Sequence, residues 1–422
     1  MLKYVFEKYC KKVYDKVYDT DFVGESKMRQ QDFSRKRKFS FADTVFVVLN
    51  KTGQGVKAAI GAYRDTVNIQ ELEYSQQAFS KGRMRIKWEA FQDLHRFSVE
   101  NFYEMFPVKT YRGFRVSAID GSKLDLPYHA DTVKEFGVQN HSGNQAQALG
   151  SCLCDVLNGV VLDGILDRFD ASERQLAERH LSYLDSIKTE KELILFDRGY
   201  FSSALMDLMN KKGFYFVMRA SDTHVSSIRK KSKGKDCIIE HTFSETKLTL
   251  RLRFLEIELP GSDRCEYLIT NIFDSSFMKD DFMKIYHMRW GIETKYNDLK
   301  NKLKIEDFSG ATPLAIRQDF YATLMLLNMV AMLTAENEEE VNRLHNDKEN
   351  KYQYKANINY TVGLLKRKVV EMLIYAGTSK GRKIFKQIQK DLVYAVVPVR
   401  PGRTSPRTLA HRGNKFPQNM RS

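Results

Sequence analysis

The sequence predicts an α/β protein: a mixed sheet with helices on both faces, interrupted by an all-β insertion and flanked by helical regions. Three observations carry this. Between about residues 110 and 220, short apolar runs closing on Asp or Asn-Gly alternate with capped amphipathic stretches. Residues 221–275 switch to a period of two, in KLTLRLRFLEIEL and CEYLITNIF, the pattern of antiparallel strands. The stretches on either side of these regions return to helical spacing.

Residues 1–105 read as helical and basic. A positive run containing Arg35, Lys36 and Arg37 precedes FADTVFVVLN, a turn with Gly53 and Gly55, and VKAAIGAYR, the outline of a helix-turn-helix. The segment Ser75 to Leu94 reads as one capped helix carrying Lys81, Arg83, Arg85 and Lys87, which can contact phosphates. A helical bundle with a solvated basic face fits the same pattern equally well. Residues 106–220 form the first part of the core. FRVSAID is a strand ending at Asp120, with a turn at Gly121-Ser122. AQALGSCLCDVL and VVLDGILDRF flank Asn158-Gly159, a type I′ hairpin signal. SERQLAERHLSYL is a helix capped by Ser172, and KELILFDRGY is a buried strand ending at Asp197. SSALMDLMNKKG and FYFVMRA add a helix and a strand. The insertion spans 221–275, and the second part of the core spans 276–335. Residues 336–422 make a helical C-terminal region with a basic tail, in which 336–350 is a polar loop or helix surface.

The chain has 422 residues and a formal net charge of +15, which favours a polyanionic partner, nucleic acid before an anionic membrane. Five cysteines without a Cys-x-x-Cys pair argue against a disulfide framework or a zinc site. Cys152 and Cys154 share one face of a strand. FYATLMLLNMVAMLTA is shorter than the roughly 20 residues of a membrane span. No secretory signal is read at the N-terminus, so a cytoplasmic location is expected.

The stretch YHMRWGIETKYNDLK concentrates the chemistry. At about 100° per residue, Tyr286, Arg289, Glu293 and Lys300 fall within about 60° of arc on one helix from about Asp281 to Lys304. Ile285, Met288, Ile292, Leu299 and Leu303 form an adjacent apolar stripe. Taken alone, Arg289 and Glu293 have the spacing of an ordinary helical salt bridge. Asp120 and Asp197 each end a strand, where open α/β sheets bind ligands. With Glu293 they would make a three-carboxylate cluster that calls for hard divalent cations. Asp125 competes with Asp120, because it follows in the same loop.

Asp120 in AIDGS, Asp197 in FDRGY, and the order Tyr, two residues, Arg, three residues, Glu, six residues, Lys together resemble a DDE transposase. They are similar to the insertion-sequence transposases of the IS4 type with the YREK signature. The resemblance covers about residues 30 to 420. It implies an RNase H-like catalytic core interrupted by the β insertion, and cut-and-paste transposition at terminal inverted repeats. It implies that Asp120, Asp197 and Glu293 bind two magnesium ions, with manganese as a substitute. Tyr286, Arg289 and Lys300 would contact DNA phosphates, joined by Arg198, by Arg35, Lys36 and Arg37, and by Lys81, Arg83 and Arg85. Relatives can carry a second lysine where this chain has Asn297. Trp290 reads as packing rather than base stacking. The implied partners are transposon-end and target DNA and a second copy of the chain, in a bacterial cytoplasm. The rival readings are a hydrolytic nuclease on the same core, a phosphatase of another α/β fold, and a transposase-derived DNA-binding protein without catalysis.

Overall fold

A computed structural model of the chain describes residues 4–35, 39–50, 55–68, 75–139, 145–187, 191–232, 234–258, 265–346 and 350–400. It begins with six helices: α1 (Val5–Tyr18), α2 (Thr20–Ser26), α3 (Phe41–Leu49), α4 (Val56–Val67), α5 (Gln76–Arg83) and α6 (Glu89–Met105). Next come β1 (Arg115–Asp125), α7 (Ala130–Phe136), β2 (Val138–Gln139), β3 (Gln145–Asp155) and β4 (Val160–Arg168). They are followed by α8 (Glu173–Ser186), β5 (Glu192–Phe196), α9 (Ser203–Lys212), β6 (Tyr215–Ala220) and α10 (Asp222–Lys231). The chain continues through β7 (Asp236–Thr242), β8 (Thr249–Glu258), β9 (Cys265–Thr270), α11 (Lys279–Met288) and α12 (Trp290–Asn297). Last are α13 (Pro313–His345), β10 (Gln353–Ala356), α14 (Ile358–Tyr375), α15 (Ser379–Tyr394) and β11 (Val396–Val399).

These elements form two compact units. The first holds Met1–Pro107, Leu124–Ala148 and Asn297–Ser422, and the second holds Val108–Lys123 and Leu149–Tyr296. In the first unit α13 starts on a Thr312 cap with Pro313 in its first turn. It is apolar on every side from Phe320 to Leu333, so it becomes the buried axis against which α3, α6 and α14 pack. The polar stretch that begins at 336 continues this helix as far as His345. The single helix predicted from Ser75 to Leu94 is instead two helices. A short bridge, Lys27 opposite Ile86, draws the backbone out between them, with Met28 N–H donating to the Arg85 carbonyl at 2.9 Å.

A nine-stranded mixed sheet runs β2-β3-β1-β5-β6-β9-β8-β7, with β4 also paired to β3. In the second unit β1, β5 and β6 are parallel, and β6, β9, β8 and β7 are antiparallel. The segment 221–275 is therefore not all-β, because it contains α10, and its three strands extend the core sheet. Period two reveals an antiparallel strand but not its partner, and here the open edge of β6 accepts β9.

Two local predictions are corrected. Strand β1 does not end at Asp120; it runs on to Asp125. Gly121 is a point of close approach, not a turn: a Cβ there would lie 2.9 Å from Glu173 Oε1 and 3.2 Å from Leu149. The β3–β4 connection is longer than a two-residue type I′ turn, and only Gly159 has a positive φ, of 69°. Asp155 sets this shape. Its Oδ1 accepts from the N–H groups of Leu157 and Asn158, and its carbonyl accepts from Gly159 N–H at 2.8 Å.

Candidate active site

The site is built on the register of β1 and β5. Arg115 pairs with Glu192 and Ala118 with Leu195, a constant offset that carries Asp120 to the level of Asp197. At the other end of the pair, buried Arg115 donates two bonds to Glu192, of 2.9 and 2.6 Å. Register-matched residues on parallel neighbours face the same side about 4.8 Å apart. The two aspartates are thus level with each other, Asp197 just past the end of β5 and Asp120 within β1, which runs on to Asp125. The β5–β6 register likewise carries Asp197 to the level of Arg219, whose Nη1 lies 3.9 Å from Asp197 Oδ1. Arg219 also pairs with Glu266 at 3.0 Å.

Helices α11 and α12 supply the remaining groups. Ile285 and Ile292 are fully buried, and this anchors the helices. Tyr286 donates from its hydroxyl to Asp197 Oδ1 at 3.3 Å. Arg289 is buried and donates to Glu293 Oε1 at 2.9 Å, with its guanidinium 5.7 Å from the Tyr286 ring centre. Among the described residues its Nε has no hydrogen-bond partner. Burial pushes the Asp120 carboxyl up to about 6; the charges of Glu173 and Asp197 add to this, while the Gly121 N–H and Arg289 oppose it.

A buried support lies behind Asp120. The Tyr296 hydroxyl is 2.6 Å from the Asp120 carbonyl and 3.0 Å from that of Gly150, so α12, which carries Glu293, is tied to β1 and β3. Ser151 Oγ is 3.4 Å from the same Asp120 carbonyl and 3.0 Å from His180 Nε2, and His180 Nδ1 is 2.8 Å from Asp163. These serine, histidine and aspartate side chains are buried, so the arrangement braces the sheet and does not act as a nucleophile. Sequence reading missed Tyr296, His180 and Arg219. Arg219, a charge closing the apolar run FYFVMRA, was the only one with a visible signal.

The remaining predicted residues fall as follows. Lys300 does not continue an ideal helix: residues Asp298–Lys302 form a π segment in the first unit, where Lys300 lies 3.9 Å from Glu306. A wider turn breaks the 100° step on which its alignment rested. In the same unit Asn297 accepts from Asn301, and Asp125 accepts from Gln147 Nε2 at 2.7 Å. Arg198, Arg35 and Lys81 are exposed, and Arg85 lies 3.7 Å from Asp32. Lys36 and Arg37 fall outside the described residues, as does the tail after Arg400. Arg83 is a correction: it is buried, and every nitrogen of its guanidinium is used inside the protein. Trp290 is also corrected, because it is 53% exposed and stacks on His287.

The donor set fits a hard divalent cation: two matched aspartates, a glutamate on the facing helix, and negative charge in excess of the one buried guanidinium. Among the described residues, no three acidic, His or Cys side chains close on a single point, and Glu293 is turned to Arg289.

The sequence from residue 111 to 329, just over half of the chain, matches the family model of the transposase DDE domain. The chain belongs to that family and is a DDE transposase. Among solved structures it is similar to the cryo-EM structure of the piggyBac transposase synaptic complex with hairpin DNA. The identity is 10%, the coverage is 95% of this chain and 88% of that one, and the TM-score is 0.46. No curated protein matches it. No helix among the described residues is long and apolar enough to cross a membrane.

Proposed function

We propose that this transposase moves an insertion sequence of the IS4 type by cut-and-paste transposition, on an RNase H-like core that carries the YREK signature. One observation carries the reading: the register of two adjacent parallel strands sets Asp120, within β1, level with Asp197, just past the end of β5, while Tyr286 of α11 bonds Asp197 and Tyr296 ties α12, which carries Glu293, to the Asp120 carbonyl. Asp120, Asp197 and Glu293 would hold two magnesium ions, which supply activation of a water and stabilisation of a leaving oxygen on phosphorus. Tyr286 and Arg289 would orient the scissile strand. The unpartnered Nε of Arg289 supports this, since a buried donor without an acceptor suits an arriving phosphate oxygen. Lys300, Arg198, Arg35 and Lys81 would add phosphate contacts along the terminal inverted repeat. Cutting at two ends calls for a homodimer that bridges them, acting on DNA in a bacterial cytoplasm.

The test is magnesium-dependent cleavage of transposon-end duplex and joining of the labelled end to a plasmid. Asp120→Ala, Asp197→Ala and Glu293→Ala should each lower cleavage by about a thousandfold or more. Full activity in any of them would sink the assignment. Cleavage without joining would point to a hydrolytic nuclease.

A further inference from the structure

A dense run of positive charge lies on the last two long helices of the first unit. From Lys366 to Asp391 the sequence carries eight cations, Lys366, Arg367, Lys368, Lys380, Arg382, Lys383, Lys386 and Lys390, against two acids, Glu371 and Asp391. The helical step decides where they point. On α15, Arg382, Lys383, Lys386 and Lys390 fall within about 100° of arc over about 12 Å. All four are exposed, while Phe385, Ile388 and Leu392 bury the opposite face. Gly381 fits this packing: a Cβ there would collide with the Tyr375 carbonyl at the end of α14, so only glycine lets α15 turn back so tightly. Between the two helices runs a groove of about 360 Å³ whose lining includes Tyr360, Arg367, Lys368, Lys383, Gln387 and Asp391.

Some of this charge is spent. Lys368 lies 2.6 Å from Glu371, and Gln387 donates to Asp391. Lys380 sits over the Tyr375 ring. Arg367, Arg382, Lys383, Lys386 and Lys390 have no acidic partner among the described residues within ion-pair distance. Like charges so concentrated repel one another, and they are stable beside a polyanion that releases counterions on binding.

We infer that the basic face of α15 is a DNA-backbone site, with Lys386 and Lys390 on its exposed stripe and Lys383 and Arg367 where that stripe meets the α14–α15 groove. This rests on the chain acting on DNA. Contacts of this kind read phosphates and not bases, so the site takes duplex of any sequence, such as flanking or target DNA.

The test compares wild-type protein with the triple variant Lys383→Gln, Lys386→Gln, Lys390→Gln on a random-sequence duplex, by fluorescence anisotropy across a salt series. The slope of log affinity against log salt should fall by about 2.7, or about 0.9 per lost contact, and affinity at 100 mM salt by about tenfold or more. Arg367→Gln alone should lower the slope by about 0.9. The matching triple Lys→Arg variant keeps the charge and should keep the slope, which separates charge from folding. An unchanged slope in the Gln variant overturns the site and leaves the transposase reading standing. Loss confined to anionic phosphatidylserine vesicles, with DNA binding intact, also overturns it. A wild-type chain that binds no duplex at all removes the transposition reading itself, and the site with it.

Discussion

Two buried arginines, each beside a carboxylate, are held in opposite ways. Arg83, in the first unit, is fully satisfied. Its Nε donates to Gln318, one terminal nitrogen to Ser309, and the other to the Ala315 carbonyl and Asp319. Asp319 in turn accepts from the Ser309 N–H and hydroxyl, and Gln318 donates to the carbonyls of Arg83 and Ile86. Arg289, in the second unit, makes one bond to Glu293, leaves Nε without a partner, and faces Asp120 and Asp197. Burial alone does not separate structure from function. Completeness does: a closed hydrogen-bond network holds a fold together, and an open one leaves capacity for a ligand.

Truncation should break or sharpen this contrast most strongly at Arg83. Arg83→Met strands Asp319, whose side chain is 0% exposed, and should cost about 3–5 kcal/mol in urea unfolding. The same change at Arg289 leaves Glu293 35% exposed and able to hydrate, and should cost less than about 1 kcal/mol. Equal losses would erase the distinction.

Next in size is Asp120. Its carboxyl is raised by burial from 3.8 to about 6, so between those values the folded chain binds more protons than the unfolded chain. Its contribution to stability therefore falls as pH rises from about 4 to 6, and stays low above that. In chelator, Asp120→Asn should gain up to about 3 kcal/mol over wild type at pH 8, and little at pH 4. A difference between the two proteins that does not change with pH would contradict this.

The smallest effect concerns the brace. Tyr296→Phe removes the hydroxyl that ties α12 to the Asp120 carbonyl, at a cost of about 1 kcal/mol. Single-turnover cleavage should slow about tenfold with the DNA Kd unchanged, because Glu293 is less firmly placed while phosphate contacts persist. A changed Kd with an unchanged rate would assign Tyr296 to binding instead.

Much of the site could be read in advance. Asp120 and Asp197 close apolar runs, and Glu293 follows Arg289 at helical spacing, so all three stand out from short windows. Arg83 did not reveal its burial, because its partners lie more than 220 residues away, in and just before α13. Arg83, Arg85 and Lys87 look alike as a basic cluster, and only the approach of α13 separates the first from the others. The strands of 221–275 showed their period but not that β9 would join β6.

The sequence by itself determined most helices and strands, the apolar stripe that buries α11 and α12, and the positive balance, because these depend on composition or on residues within a few turns of one another, and it determined the family through the order of short motifs along the chain. Only the tertiary structure decided that Asp120 and Asp197 share a level, that Arg289 stands among carboxylates with a donor to spare, and that Tyr296 fastens the helix to the strand. Strand register and buried polar networks depend on pairings between distant segments, and these exist only once the chain has closed on itself.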